Sequence, residues 1–270
     1  MCAMTTLGDL EKARRKNDLK TALARIGRKY LVMSGKGGVG KTTVAVNLAA
    51  ALASGGARVG LLDIDLHGPS VATALGLTEA LKTDGDDKLI PALSECGLKV
   101  VTIQGLLTGR DEAVIWRGPK KVNAIKQFFS EVAWGELDYL IIDSPPGTGD
   151  EPMTALQTMP DLRPLMVTSG HRLSINDVAK AFSFLRTMER PAFGLVDNQS
   201  WYVCPRCEEE TDIYDRQAAE KLAARENVPL LATLPMDLAA ARSAEEGRPL
   251  TWSAPDHPFS RKVFDLAKRI

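Results

Sequence analysis

Cysteine is too scarce in this chain for a disulfide framework, histidine is rarer still, and neither sign of charge is in excess. The 270 residues hold four cysteines (Cys2, Cys96, Cys204 and Cys207), three histidines, and 34 basic against 34 acidic side chains. Four cysteines in a chain this long do not make a stapled scaffold. Zero net charge argues against a nucleic-acid binder that relies on a broad basic surface. No run of about 18 apolar residues exists, so no membrane-spanning helix is expected. The first residues are polar and charged (Glu11, Lys12, Arg14, Arg15, Lys16) and lack the apolar core of a signal peptide. A cytoplasmic, reduced protein without stable membrane association is expected.

What is present is a globular composition, 44% hydrophobic and 25% charged, enough to bury a full core. Residues 1–28 read as a leader. Leu19, Ala22, Leu23 and Ile26 stand at helical spacing in its second half. Residues 29–270 then alternate short apolar runs with helical patterns. Strands are expected at Tyr30–Ser34, Val59–Asp63, Leu98–Ile103, Tyr139–Asp143, Pro164–Ser169, Phe193–Asp197 and Pro229–Leu234. Helices are expected at Lys41–Ser54, Lys120–Val132, Ser174–Arg190 (Ser174 as N-cap, Asp177 completing a capping box) and Gln217–Glu226. Phe259, Val263, Leu266, Ala267 and Ile270 form one apolar stripe near the end. This is an α/β chain, a single domain with a mostly parallel sheet covered by helices on both faces. Ligands on such a sheet bind at the strand C-terminal ends.

The segment Gly35-Lys36-Gly37-Gly38-Val39-Gly40-Lys41-Thr42 follows a strand and opens a helix, which is the setting a phosphate-binding loop requires. Its glycines let backbone N–H groups surround phosphate oxygens, and the helix N-terminus adds its positive end. Lys41 is expected to reach the β- and γ-phosphates of ATP and Thr42 to ligate Mg²⁺, with Thr43 completing the nucleotide contacts. The extra lysine, Lys36, resembles the deviant form of the loop, whose second lysine crosses a dimer interface to the partner's nucleotide. That resemblance implies a homodimer and a catalytic role for Lys36.

Two more strands end in aspartate. Asp143 closes four apolar residues and is the carboxylate that Mg²⁺ needs opposite Thr42. After it, Ser144–Asp150 carries two prolines and two glycines. This makes a loop with preset turns, in which the Gly147 N–H is a candidate γ-phosphate sensor. Asp65, just past Val59–Asp63, is expected to orient or deprotonate the attacking water; Asp63 is expected to support the loop or the Mg²⁺ shell.

Cys204-Pro205-Arg206-Cys207, within the segment 201–210, is the one telling cysteine spacing. Thioredoxin-like redox chemistry, a metal site and an uninvolved pair all remain open, with a knuckle-like metal loop the better fit to Pro205 and the acidic residues that follow. Two thiolates fill half of a four-ligand site. Two chains across a two-fold axis would complete it, with zinc or a 4Fe–4S cluster.

SGKGGVGKTT, DIDLHGPS (Asp63–Ser70), VIWRGP (Val114–Pro119), DSPPGTGD (Asp143–Asp150) and NQSWYVCPRC (Asn198–Cys207) together resemble the Mrp/ApbC family of iron–sulfur cluster carrier ATPases. The resemblance spans about residues 30–270. It implies a homodimer that binds and slowly hydrolyses ATP, holds a bridging 4Fe–4S cluster on Cys204 and Cys207, and passes it to apo-proteins. It also implies Asn198 near the adenine, and Pro235 and Asp237 bordering the base. Relatives of the partitioning (MinD/ParA) kind and zinc or nickel carriers are the alternatives. Asp197-Asn198-Gln199 stands where the family usually has Glu-Asn-Met, and Thr168-Ser169-Gly170-His171 where it has Thr-Thr-Pro-Gln. His67 and His171 read as polar loop residues.

Overall fold

The computed structural model describes residues 19–102, except 67, 69 and 87, and residues 119–270, except 208. The first 18 residues of the leader, His67, Ile103 and most of Val114–Pro119 therefore lie outside the described residues. Residues 19–24 are helical (α1), but Ile26 does not extend that helix. It opens strand β1 (Ile26–Ser34), four residues earlier than the apolar run suggests. The intervening Gly27, Arg28 and Lys29 hide the strand from a reading of hydropathy, because a sheet needs only backbone partners: β1 is in register with β7 from Ile26 onward. Lys29 is tolerated there because its ammonium bonds the Ile26 carbonyl at 2.8 Å and Asp161 at 2.7 Å.

Eight strands form one sheet in the order β12-β9-β8-β1-β7-β2-β6-β5. They are β2 (Val59–Asp63), β5 (Ala92–Leu93), β6 (Lys99–Thr102), β7 (Leu137–Asp143), β8 (Arg163–Thr168), β9 (Gly194–Asp197) and β12 (Leu230–Thr233) beside β1. Every pairing is parallel except the short edge β5–β6. A two-stranded ribbon, β3 (Lys82–Thr83) with β4 (Leu89–Ile90), stands apart.

Alternation along β1 shows why the central strands are apolar throughout. Tyr30 and Val32 enter one core, and Leu31 and Met33 enter the other. The first core packs α2 (Lys41–Ser54), α3 (Val71–Ala74), α8 (Leu238–Glu245), α9 (Leu250–Ser253) and α10 (Pro258–Ala267). The second packs α4 (Pro119–Ser130), α5 (Asp150–Thr158), α6 (Arg172–Thr187) and α7 (Ala218–Glu226). The stripe near the chain end is a core face: Phe259, Val263, Leu266 and Ile270 are buried against α2's side of the sheet. Among the described residues no helix is long and apolar enough to cross a membrane.

One expected cap is corrected. Helix α6 begins at Arg172, and its N-cap is His171, whose Nδ1 accepts the Leu173 N–H at 3.2 Å. Ser174 lies inside the first turn, buried, and its hydroxyl accepts from Ser169. An imidazole nitrogen does the work of a capping oxygen here, which a search for Ser, Thr, Asp or Asn passes over.

Candidate functional site

The C-terminal ends of β1, β2, β7 and β9 bring Ser34, Asp63, Asp143 and Asp197 to one rim of the sheet. Parallel register sets Asp63 directly opposite Asp143 and Asp143 opposite Val32. The loop Gly35–Gly40 leaves β1 at this rim and turns into α2. Gly38 and Gly40 take positive φ of 84° and 77°, a conformation that L side chains rarely adopt. Gly40 is the N-cap and offers no side-chain acceptor. The first-turn N–H groups of a 14-residue helix are thus left for an anion, which fits a phosphate.

Asp143, 1% exposed, holds the two residues that follow Gly40. Its Oδ1 accepts from the Lys41 ammonium at 2.6 Å and its Oδ2 from the Thr42 hydroxyl at 2.6 Å. Ser70, which no sequence signal singled out, donates its hydroxyl to Thr42 Oγ1 at 3.2 Å. Asp63 is fully buried. It accepts the Asp65 N–H at 2.9 Å and the Val71 N–H at 3.3 Å, which ties the end of β2 to α3. Burial first, then the neighbouring Asp143 carboxylate, push Asp63 up to about 8. The expected support role for Asp63 therefore has a geometry. Asp65 itself accepts the Gly68 N–H at 3.1 Å. Oxygens of Thr42 and Asp143 that meet at hydrogen-bond distance are a hard-ligand set suited to Mg²⁺.

The Asp63 shift makes a pH prediction. An acid whose pKa is raised on folding keeps its proton in the folded chain where the unfolded chain has lost it. Its contribution therefore favours folding at low pH and fades between the ordinary 3.8 and about 8. Asp63→Asn is expected to gain stability relative to the native chain as pH rises from about 5 to about 8. Urea midpoints across that range check it; a difference that does not change with pH refutes the shift.

Around the loop, contacts are close. A Cβ on Gly35 would lie 2.2 Å from the backbone of Asp177 and Val178 in α6. Helix backbone cannot yield as a side chain does, so Gly35→Ala is expected to destabilise by at least the ~1–3 kcal/mol typical of overpacking. The urea midpoint reads this directly, and an unchanged midpoint would show that α6 moves freely. Gly147 donates its N–H to the Ser34 carbonyl at 2.7 Å, so in this structure that N–H closes the Ser144–Asp150 loop onto the end of β1. Lys36 is exposed, and its ammonium has no partner among the described residues.

Asn198, following Asp197, is buried. Its amide Nδ2 donates to the Val39 carbonyl of the phosphate loop at 2.9 Å. Asp237 N-caps α8 by accepting from Ala239 and Ala240 at 2.8 and 3.1 Å, and Pro235 is buried just before it. The segment 201–210, read in sequence as a knuckle-like loop, belongs to a hairpin: β10 (Trp201–Val203) pairs antiparallel with β11 (Glu210–Asp212). Cys204-Pro205-Arg206-Cys207 turns at its tip. The Arg206 and Cys207 N–H groups and the Cys207 thiol hold the Cys204 thiol below its ordinary range, as backbone donors do for a thiolate ligand. Cys96 is the contrary case, pushed up by burial.

Known proteins resemble this chain over nearly its whole length. A protein-family model described as NUBPL iron-transfer P-loop NTPase, of the ParA group, matches residues 25–270. An iron-sulfur cluster carrier protein of Methanocaldococcus jannaschii is 41% identical over 98% of this chain and 92% of its own length. A cytosolic Fe-S cluster assembly factor, NUBP2 of Bos taurus, is 42% identical over 92% of this chain and 93% of its own. A nucleotide-binding protein from Archaeoglobus fulgidus, solved in complex with ADP, superposes with a TM-score of 0.78 at 34% identity, covering 92% of this chain and 96% of that one.

Proposed function

The chain belongs to the family of NUBPL iron-transfer P-loop NTPases, and from that premise we propose that it is an ATP-hydrolysing iron–sulfur cluster carrier. Two copies hold a bridging 4Fe–4S cluster between their Cys204 and Cys207 pairs and deliver it to apo-proteins. The observation that carries this reading is the hairpin tip, where the turn between β10 and β11 places Cys204 and Cys207 together outside the central sheet. Among the described residues no group of three or more His, Cys, Asp or Glu could hold a metal ion. Two thiolates per chain therefore need two more from a second chain.

The phosphate loop has the matching division of labour. The α2 N-terminus and the glycine N–H groups bind the phosphates, and Lys41 contacts the β- and γ-phosphates. Thr42 and Asp143 would hold Mg²⁺, which neutralises phosphate charge when bound. Asp65 positions the attacking water, and Lys36 reaches the partner copy's nucleotide. The bovine relative's name as a cytosolic factor supports a cytoplasmic setting, and the reading calls for neither nucleic acid nor membrane.

Anaerobic reconstitution with iron and sulfide tests the reading. It should yield a dimer with about four irons and four sulfides per two chains. A chain that takes up zinc or nickel but no iron overturns the cluster assignment. A chain that binds DNA or liposomes on ATP without metal points to a partitioning switch.

A further inference from the structure

Asn198 and Cys204 are six positions apart in the chain, and nearly every residue between them is fastened to something. Asn198 grips the Val39 carbonyl. The grip depends on Gly40, where a Cβ would stand 2.2 Å from Asn198 Nδ2. Gln199 turns the chain at φ 58°. The Ser200 N–H donates to the Leu234 carbonyl at 3.0 Å, and the Trp201 carbonyl accepts from Met236 at 2.7 Å. Tyr202 bridges to Met236 in parallel, and the Cys204 N–H donates to Glu209 at 3.0 Å. The buried Trp201 ring lies 5.0 Å from both the Arg216 guanidinium and the Lys262 ammonium, cation–π contacts that anchor the strap to the hairpin's return and to α10.

A strap pinned at this many points passes a displacement on instead of absorbing it, because packed segments shift between discrete arrangements. It also has hydrogen bonds in reserve. Both Asp197 carboxylate oxygens, Ser200 Oγ and Trp201 Nε1 are buried without a partner among the described residues. Burial pushes Asp197 up to about 6, with the nearby Ser200 hydroxyl pulling the other way. A second arrangement that partners these atoms lowers their cost.

We infer that Asn198 is a positioning residue that couples the phosphate loop to Cys204, so that nucleotide at the loop changes how tightly the cysteine pair holds metal. This rests on the reading of the loop as a nucleotide site and of Cys204 and Cys207 as ligands. It adds the route and the residue by which one governs the other. Coupling between two sites is reciprocal: metal must change nucleotide affinity by the same factor.

The test measures Zn²⁺ affinity with and without MgADP, and MgADP affinity with and without Zn²⁺, on the full chain. Zinc serves as a redox-silent occupant of the thiolates. The two ratios should agree and reach about 5-fold or more. In Asn198→Ala, and in Asn198→Leu, which keeps the branched shape but has no donor for Val39, both ratios should fall to one whatever the absolute affinities. Gln199→Asn, which suits the left-handed backbone, should keep them. A ratio of one in the native chain, or a native ratio that survives in Asn198→Leu, overturns the coupling. Failure of the native chain to bind either ligand at all would instead overturn the reading of the sites themselves.

Discussion

Cys204→Ala is expected to emerge from anaerobic reconstitution without the visible thiolate-to-iron absorption of a cluster, and to retain nucleotide binding. Loss should be complete, because the substitution removes two of four ligands from a shared site at once, one from each chain. Cys204 sits at the tip of a hairpin outside the eight-stranded sheet, and its side chain touches neither core. The variant should therefore unfold at the native midpoint, which separates ligand loss from misfolding. Cys96→Ala is the control: its thiol lies beside Ser94, 3.2 Å from the hydroxyl, and packs against the core, so cluster content should be unchanged. A Cys204→Ala protein with native absorbance would place the cluster elsewhere.

Lys36→Ala is expected to lower kcat for ATP hydrolysis by ~10³ or more, the range of a positive charge delivered in trans to a phosphoryl group. KM should change far less, because Lys41 contacts the phosphates within the same chain. The decisive arm is mixing. In a dimer of a Lys36→Ala chain with an Asp65→Asn chain, one site has its own Asp65 and receives Lys36 from the other chain, so activity returns. If Lys36 acts on its own nucleotide, each site lacks one group and mixing restores nothing. An exposed ammonium with no partner among the described residues is what a residue serving another chain requires. Native kcat in Lys36→Ala would remove it from the chemistry.

The parts of this molecule legible in sequence are those in which one physical demand acts alone. Helix Lys41–Ser54 and strand Val59–Asp63 have the expected bounds, since apolar runs between glycines leave a buried parallel sheet few alternatives. Asp143 is legible as the end of an apolar strand, and the structure sets it against Lys41 and Thr42 of the phosphate loop. The misreadings fall where surroundings decide. Helix α5 starts inside a loop rich in proline and glycine, and its N-cap, Gly149, makes no side-chain bond. The hairpin partner Glu210-Thr211-Asp212 is exposed along its length and carries no alternating apolar signal. Arg216, bonded to Glu210 and Asp212, holds that strand by charge instead. Asp197 followed the same rule as Asp63 and Asp143, an apolar strand closing on aspartate. Only the structure shows that its carboxylate is buried without a partner among the described residues, because burial is set by elements distant in the chain.

The hairpin that carries the cysteines lies in the connection from β9 to α7, pinned to the domain at Asn198, Ser200 and Trp201 but free of the central sheet at its tip. The glycine loop, Thr42, Asp63 and Asp143 all come before that connection in the chain. The architecture thus separates engine from cargo hold. The tip between β10 and β11 can be lengthened, recharged or given other ligands over generations without rewriting the phosphate loop, provided that the pinned stretch from Asn198 to Tyr202 keeps its contacts. One ancestral engine of this shape could in that way come to serve many different loads.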